Sequence, residues 1–198
     1  MHFTPLAAAA ILATTAVSAA PVNEKRQSNN GNFGLSIGEE GLFNLDYLQT
    51  YKLSYANNSA FVGQIKYQQY SEPLVVNGAM VAPDTEGGLG FLSEHSAPTG
   101  YQYGYIMPGQ SAPLQFTVPH TGGEAPNGAS LTGFSFSGGG PLLHNGKNKF
   151  FACQSPNEAA INTYQIWWLG GPNEERPLGA DCKGPIGILQ SDPCARGN

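Results

Sequence analysis

The chain has 198 residues, of which 26 are glycine and 15 are proline, and only 12% are charged. Its formal net charge is −5 and it has nine Lys and Arg residues in all, which excludes nucleic-acid binding because phosphate recognition needs clustered basic side chains. The length suffices for one domain with a hydrophobic core, and the glycine and proline content favours an all-β fold with many turns.

The amino-terminal residues predict export. Leu6–Val17 is apolar and alanine-rich, has the length of a signal-peptide core, and is too short to span a bilayer. Val17-Ser18-Ala19 has the small-x-small pattern that signal peptidase recognises, so we predict a signal peptide over residues 1–19, cut after Ala19. No later segment is apolar enough to cross a membrane. We therefore expect a secreted protein, located outside the cell or in a cell wall.

A dibasic pair, Lys25-Arg26, lies in the polar stretch that follows. Processing proteases of the secretory pathway cut after such pairs, which predicts a propeptide over residues 20–26 that ends at Arg26. The alternative is a solvated pair of charges that is not cut. Residues 27–32 are polar and rich in asparagine and predict a disordered leader, and residues 33–198 predict a single domain.

About ten short segments have the alternating apolar pattern of β-strands and are bounded by glycine or proline. Asn77-Gly78, between the apolar runs of Leu74–Val81, predicts a hairpin because both residues tolerate the positive φ of a two-residue turn. The other segments are Phe33–Ile37, Ala60–Tyr67, Gly90–Ser93, Tyr101–Ile106, Leu114–Val118 and Leu131–Ser137, followed by those of the last third. Their number and spacing predict a single antiparallel β-sandwich or barrel-like domain.

The last third, Pro141–Leu189, predicts an antiparallel unit closed by a disulfide. Asn145-Gly146 is a turn sequence, and strand-like runs end at Cys153 and begin beside Cys182. In an oxidising compartment three cysteines give one disulfide and one odd thiol. We favour Cys153–Cys182, because the intervening hairpin brings both residues to one face. Cys182–Cys194, which would leave Cys153 buried and free, remains open.

Asn57-Asn58-Ser59 is the sole N-x-Ser/Thr sequon in the sequence. In an exported chain it predicts a glycan on Asn57, and therefore a surface loop at this position.

Catalytic and metal-binding patterns are weak. No Gly-x-Ser-x-Gly or Cys-x-x-Cys motif occurs, so we predict no enzyme, no cofactor and no metal site. We expect the histidines beyond the signal peptide to be surface or loop residues; they are His95, His120 and His144. The acidic residues are expected to solvate turns, and a local ion pair is expected within Glu174-Glu175-Arg176. These acidic residues are Glu39-Glu40, Asp84/Glu86, Glu94 and Glu174-Glu175. A carbohydrate-active hydrolase, which needs two facing carboxylates, is the weakest alternative.

Tyr101, Tyr103 and Tyr105 alternate, so in a strand they share one face. Exposed tyrosine rings stack on sugars and their hydroxyls form hydrogen bonds, which predicts contact with a cell wall polysaccharide such as glucan, chitin or mannan. Tyr67 and Tyr70 could extend this surface. The alternative is that the row forms an inner wall of the fold. Trp167-Trp168 must direct one indole to each face, one into the core and one towards a surface.

Several motifs in the same order resemble the phiA family of fungal secreted cell wall proteins. They are the signal peptide, the glycine-rich β domain, the block Leu143–Cys153 ending in Phe-Phe-Ala-Cys, the Tyr-Gln-Ile-Trp strand, Ala180-Asp181-Cys182-Lys183-Gly184 and the tail Gln190–Cys194. The resemblance is firmest over Leu131–Cys194. Members of the family carry further cysteines in the amino-terminal half, whereas this chain has none before Cys153.

The resemblance implies a non-enzymatic, glycosylated protein of the fungal wall or culture medium that is linked to the formation of phialides and conidia. The main alternative is a small secreted effector or antigen-like protein that acts away from the wall.

Overall fold

The computed structural model describes residues 31–38, 52–65, 71–79, 81, 87–93, 101–121, 123–136, 138–157 and 162–192. Within these ranges it contains fifteen β-strands and no helix, which confirms the all-β prediction. The strands are β1 (Asn32–Ile37), β2 (Ser54–Ala56), β3 (Ser59–Gly63), β4 (Glu72–Pro73), β5 (Val75–Asn77), β6 (Leu89–Leu92), β7 (Tyr101–Tyr105), β8 (Ser111–Pro113), β9 (Gln115–Phe116), β10 (Phe134–Phe136), β11 (Leu142–His144), β12 (Phe150–Gln154), β13 (Thr163–Leu169), β14 (Asp181–Lys183) and β15 (Ile188–Ser191).

Most of these strands form one curled antiparallel sheet with the shape of a half-barrel, which corresponds to the barrel-like form of the predicted architecture. Ten strands follow one another across it in the order β14-β12-β13-β3-β9-β7-β6-β5-β1-β15. Strands β2, β4 and β8 pair beside this path, and β10 and β11 form a separate two-stranded ribbon. The long-range pairs, such as β1 with β15, bring distant parts of the chain together.

One hydrophobic core joins the sheet and the ribbon. We call the face of the sheet that carries this core the inner face and the opposite one the outer face. The largest fully buried side chains of this core are aromatic and come from both the sheet and the ribbon: Phe91, Phe134, Phe136 and Phe150. Alternation along the strands decides which residues contribute, since successive side chains point to opposite faces.

Asn145-Gly146 forms the predicted turn, whereas Asn77-Gly78 does not, since neither Asn77 nor Gly78 has a positive φ. Asn145 and Gly146 have φ of 47° and 70° and close a two-residue turn between His144 and Lys147. Before the turn, β11 pairs with β10; after it, β12 pairs with β13. The hairpin predicted within Leu74–Val81 is wrong. Strand β5 pairs with β1 and β6, and Val81 lies outside any strand. A local turn sequence reverses the chain without deciding which other strand pairs with the strand beside the turn.

The antiparallel unit predicted near the carboxyl end is confirmed. Strand β12 lies between β13 and β14, and Cys153 is directly opposite Cys182. The structure contains the disulfide between these two residues, across a sequence separation of 29. Cys194, the alternative partner, lies outside the described residues.

Candidate ligand-binding surface on the outer face

The tyrosine row of β7 lies on the outer face of the sheet. Gly104, which alternates with the tyrosines, faces the core: a Cβ atom placed there would lie 2.9 Å from the Cβ of Leu89. Gln102 is also inner and fully buried, and its amide donates to the carbonyl of Thr117 at 2.7 Å. Tyr101, Tyr103 and Tyr105 therefore point outward, and the alternative of an inner wall does not apply.

Exposure falls steeply along this row. Tyr101 is 48% exposed, Tyr103 is half-buried and Tyr105 is only 8% exposed. Gly123 packs against the Tyr103 ring, since a Cβ atom at this glycine would lie 3.1 Å from the ring. The row thus offers one free ring at one end. Tyr67 and Tyr70 lie outside the described residues.

The hydroxyl groups at the two ends of the row have partners. Tyr101 accepts a hydrogen bond from the Asn77 amide at 3.4 Å, and Tyr105 donates to Gln115 Oε1 at 3.0 Å. Burial raises the pKa of Tyr105 above its ordinary value of 10.0, because a phenolate is poorly solvated there.

The two tryptophans divide between the faces as predicted. Trp168 is 3% exposed and meets the rings of Phe150 and His144 edge to face in the core. Trp167 is half-buried on the outer face, and its indole N–H donates to Gln165 Oε1 at 3.1 Å. The Gln165 amide in turn donates to Ser59 Oγ at 3.0 Å.

Register places the tyrosine row and Trp167 on the same side of the sheet. Tyr105 is opposite Gln115, Gln115 is opposite Ser59, and Ser59 accepts the hydrogen bond from Gln165. A continuous set of aromatic and hydrogen-bonding side chains therefore crosses β7, β9, β3 and β13. The sequence alone did not reveal this set, because its members are up to 108 positions apart, from Ser59 to Trp167, and meet only through long-range pairing.

A cleft of about 440 Å³ opens at the Trp167 end of this set. One wall is the turn that leads into β8, and the other is the connection between β13 and β14. We call it the Trp167 cleft; its side-chain lining includes Gln110, Ser111, Trp167, Pro172, Glu175 and Arg176. Sequence reasoning missed its polar members, although the Gly170-Gly171-Pro172 segment did predict a turn beside the half-buried Trp167.

The disulfide supports one wall of this cleft. Cys153 and Cys182 pack with Phe151 and Leu169 in a second small cluster on the outer face. Trp167 and Ala180 pack against this cluster, so the connection that ends at Cys182 is anchored beside the cleft floor.

Asn57 occupies an exposed two-residue turn between β2 and β3. Asn57 and Asn58 have φ of 46° and 57°, the left-handed conformation that this type of hairpin requires. The sequon therefore lies at the surface, and its occupancy stays a prediction.

Two ionisable residues, His144 and Glu174, differ from what the sequence predicted. His144 is 2% exposed and lies at the core edge, with Nε2 at 3.0 Å from both Ser130 Oγ and the Thr132 carbonyl, whereas His120 is exposed as expected. Glu174 pairs with Lys149 at 3.3 Å and not with Arg176, because the turn directs it towards β12. No group of three or more possible metal ligands occurs in the part of the chain that the structure describes.

The remaining predicted positions lie outside the described ranges. These are the processing positions Ala19 and Arg26, together with His95 and the acidic residues Glu39, Glu40, Asp84, Glu86 and Glu94. Among the residues that are described, no helix could cross a membrane.

Comparison with known proteins adds no relative. No family model matches the chain, and neither a curated protein nor a solved structure is significantly similar to it. The resemblance to the phiA family thus depends on the sequence motifs alone and stays a prediction.

Proposed function

We propose that this protein is a non-enzymatic, secreted protein of the fungal cell surface that contacts wall polysaccharide through the outer face of its sheet. The observation that carries the proposal is the pair of accessible aromatic rings at the two ends of this set, Tyr101 at 48% exposed and the half-buried Trp167. Aromatic rings stack on the apolar faces of sugars, and adjacent hydroxyl and amide groups pair with sugar hydroxyls.

Two further observations support an extracellular location. The amino-terminal sequence has the pattern of a signal peptide, and the Cys153–Cys182 disulfide is typical of oxidising compartments. The resemblance to the phiA family adds the wall location and the link to phialide and conidium formation.

Fractionation and polysaccharide pull-down test this proposal. We expect the secreted protein to be recovered from walls by detergent and to be retained by particles of β-glucan, chitin or mannan. Tyr101→Ala should lower retention by about two- to threefold, because it removes the exposed ring at the rim of the set. Lys147→Ala, on an exposed turn, is the control and should bind like the wild type.

Two outcomes would contradict the proposal. Recovery only in the medium, with no retention on any of the three polysaccharides, would favour the secreted effector that acts away from the wall. Release of reducing sugar from the particles by the purified protein would show that it is an enzyme.

A further inference from the structure

We propose that the Trp167 cleft is a binding site for an uncharged saccharide segment. This inference rests on the proposed function and assigns its tightest contact to one place on the outer face. The cleft volume of about 440 Å³ lies within the usual range for small-ligand sites, roughly 300–1,000 Å³.

The floor of the cleft is a fixed aromatic surface. The only polar atom of the Trp167 indole is already bonded to Gln165, and Gln165 is held by Ser59. Ser59 is 1% exposed and donates to the Leu114 carbonyl at 2.8 Å, so this chain of bonds ends in the sheet backbone. The ring is held in one orientation and offers its carbon surface to a ligand, as stacking on a pyranose requires.

The walls supply polar groups without internal partners. Ser111 Oγ is buried and makes no hydrogen bond within the described residues. Gln110 is exposed, and its backbone carbonyl accepts from the N–H of Gly170 at 3.1 Å, which ties the two walls together. Glu175 and Arg176 are exposed and form no ion pair with any described residue. The exposed amide, carboxylate and guanidinium beside the ring can donate to or accept from sugar hydroxyls.

The charges of the cleft favour an uncharged ligand. One carboxylate and one guanidinium give the cleft a formal charge of zero, so the cleft favours neither a polyanion nor a polycation. A peptide could also stack on Trp167, but it would have to satisfy its own backbone groups, whereas sugar hydroxyls match this mixed set of donors and acceptors.

Variants of three cleft residues test the assignment. We expect Trp167→Ala to weaken binding of soluble β-glucan, chitin or mannan oligosaccharides at least about tenfold, or ~1.4 kcal/mol. Trp167→Phe should restore part of the affinity, since an aromatic surface remains. Arg176→Ala should weaken binding about threefold, while Lys147→Ala removes a matched positive charge outside the cleft and should have no effect. Titration calorimetry gives the affinities, and the thermal midpoint of each variant reports its folding.

A fluorescence experiment with unmodified protein gives a second readout. Trp168 is buried in the core and Trp167 lines the cleft, so oligosaccharide binding should change the tryptophan emission of the wild type. This change should be lost in Trp167→Phe. Where Trp167→Ala fails to fold, Arg176→Ala and Gln110→Ala, both at exposed positions, provide the affinity test.

Each other outcome has a defined meaning. Wild-type affinity in folded Trp167→Ala and Arg176→Ala would overturn the cleft assignment and leave the proposed function standing. Failure of the wild type to bind any polysaccharide would remove both. Preference for polygalacturonate, or for a proline-rich peptide that depends on Trp167, would overturn the assignment to an uncharged saccharide.

Glu175→Gln, which gives the cleft a net positive charge, should keep the affinity of the protein for neutral oligosaccharides within about twofold.

Discussion

Tyr55 joins the core to the polar groups around it through its ring and its hydroxyl. The ring centroid lies 4.7 Å from that of Phe91 and 5.5 Å from that of Phe116. The hydroxyl donates to Asn58 Oδ1 at 2.8 Å and accepts from the Gln102 amide at 3.0 Å. Burial raises the pKa of Tyr55 above 10.0, more than the hydrogen bond from Gln102 lowers it.

The raised pKa of Tyr55 predicts a loss of stability at alkaline pH. Above pH 10.0 the unfolded chain ionises first, so the free energy of unfolding falls as the pH rises, until the folded phenol also ionises. Tyr55→Phe should flatten this fall, and Tyr105→Phe should do so as well. Urea unfolding at a series of pH values measures the effect, with Tyr101→Phe, at an exposed ring, as the control. Equal slopes in the wild type and Tyr55→Phe would contradict the prediction.

The β2–β3 hairpin combines a surface turn with a buried anchor. Asn57 is exposed, but Ser59, two residues later, is 1% exposed and bonded to Leu114 and Gln165. The hydroxyl that the glycosylation machinery must recognise is therefore enclosed once the hairpin joins the sheet. We therefore expect that a glycan on Asn57, where it is added, is added before this step.

Two substitutions separate the roles of the sequon. Asn57→Gly removes the acceptor and keeps the positive φ, so we expect loss of the glycan mass with little change in stability. Ser59→Ala also removes the glycan but should cost about 1–3 kcal/mol of unfolding free energy, because it leaves buried partners unpaired. Intact mass and chemical unfolding measure both. Equal stability of the two variants would contradict an anchoring role for Ser59.

The β12–β14 pair is the element that the disulfide cross-links. Closing a loop of 29 residues restricts the unfolded chain, which stabilises the fold by about 3.5 kcal/mol in the chain-entropy model. The Cys153→Ala/Cys182→Ala variant should lose about this free energy of unfolding, and Cys194→Ala should lose none. A peptide map under non-reducing conditions checks the pairing. A peptide linked through Cys194 to Cys182 would show that the alternative bridge forms.

At the scale of the whole molecule, the sheet and the β10–β11 ribbon share one core. Phe134 and Phe136 from the ribbon are at most 1% exposed and belong to the same cluster as Phe91 and Phe150 from the sheet. The ring of Phe134 meets that of His144, which in turn meets Trp168. Because the described residues of the ribbon have no core apart from this cluster, the ribbon should unfold together with the sheet.

Phe134→Ala tests this cooperativity. Removing a fully buried phenylalanine should cost about 3–5 kcal/mol, and fluorescence of Trp168 should report the same unfolding midpoint as far-ultraviolet circular dichroism. Phe33→Ala, at a partly buried ring, should cost less. Separate transitions for the two probes would contradict cooperative unfolding of the sheet and the ribbon.

Local rules account for what could be predicted of the fold. The period of two along the strands, the Asn145-Gly146 turn and the opposite directions of Trp167 and Trp168 follow from backbone geometry over a few residues. The favoured Cys153–Cys182 pairing is present, but not through one hairpin: β13 pairs with one edge of β12, and β14 pairs with the other edge, which places Cys182 opposite Cys153. The sequence could not predict that Tyr101, Tyr103 and Tyr105 point away from the core, since either face of an isolated strand could have been the inner one.

The sequence by itself determined that this chain forms short antiparallel strands, and it indicated which two cysteines join. Only the tertiary structure decided the partners of β5, the burial of Tyr105 beneath its neighbours, and the meeting of Gln110, Trp167 and Arg176 in one cleft. The physical reason is the distance along the chain over which each interaction acts. Alternation and turn propensity act over a few residues, whereas the register between β3 and β13 joins segments about a hundred positions apart and selects which side chains lie side by side.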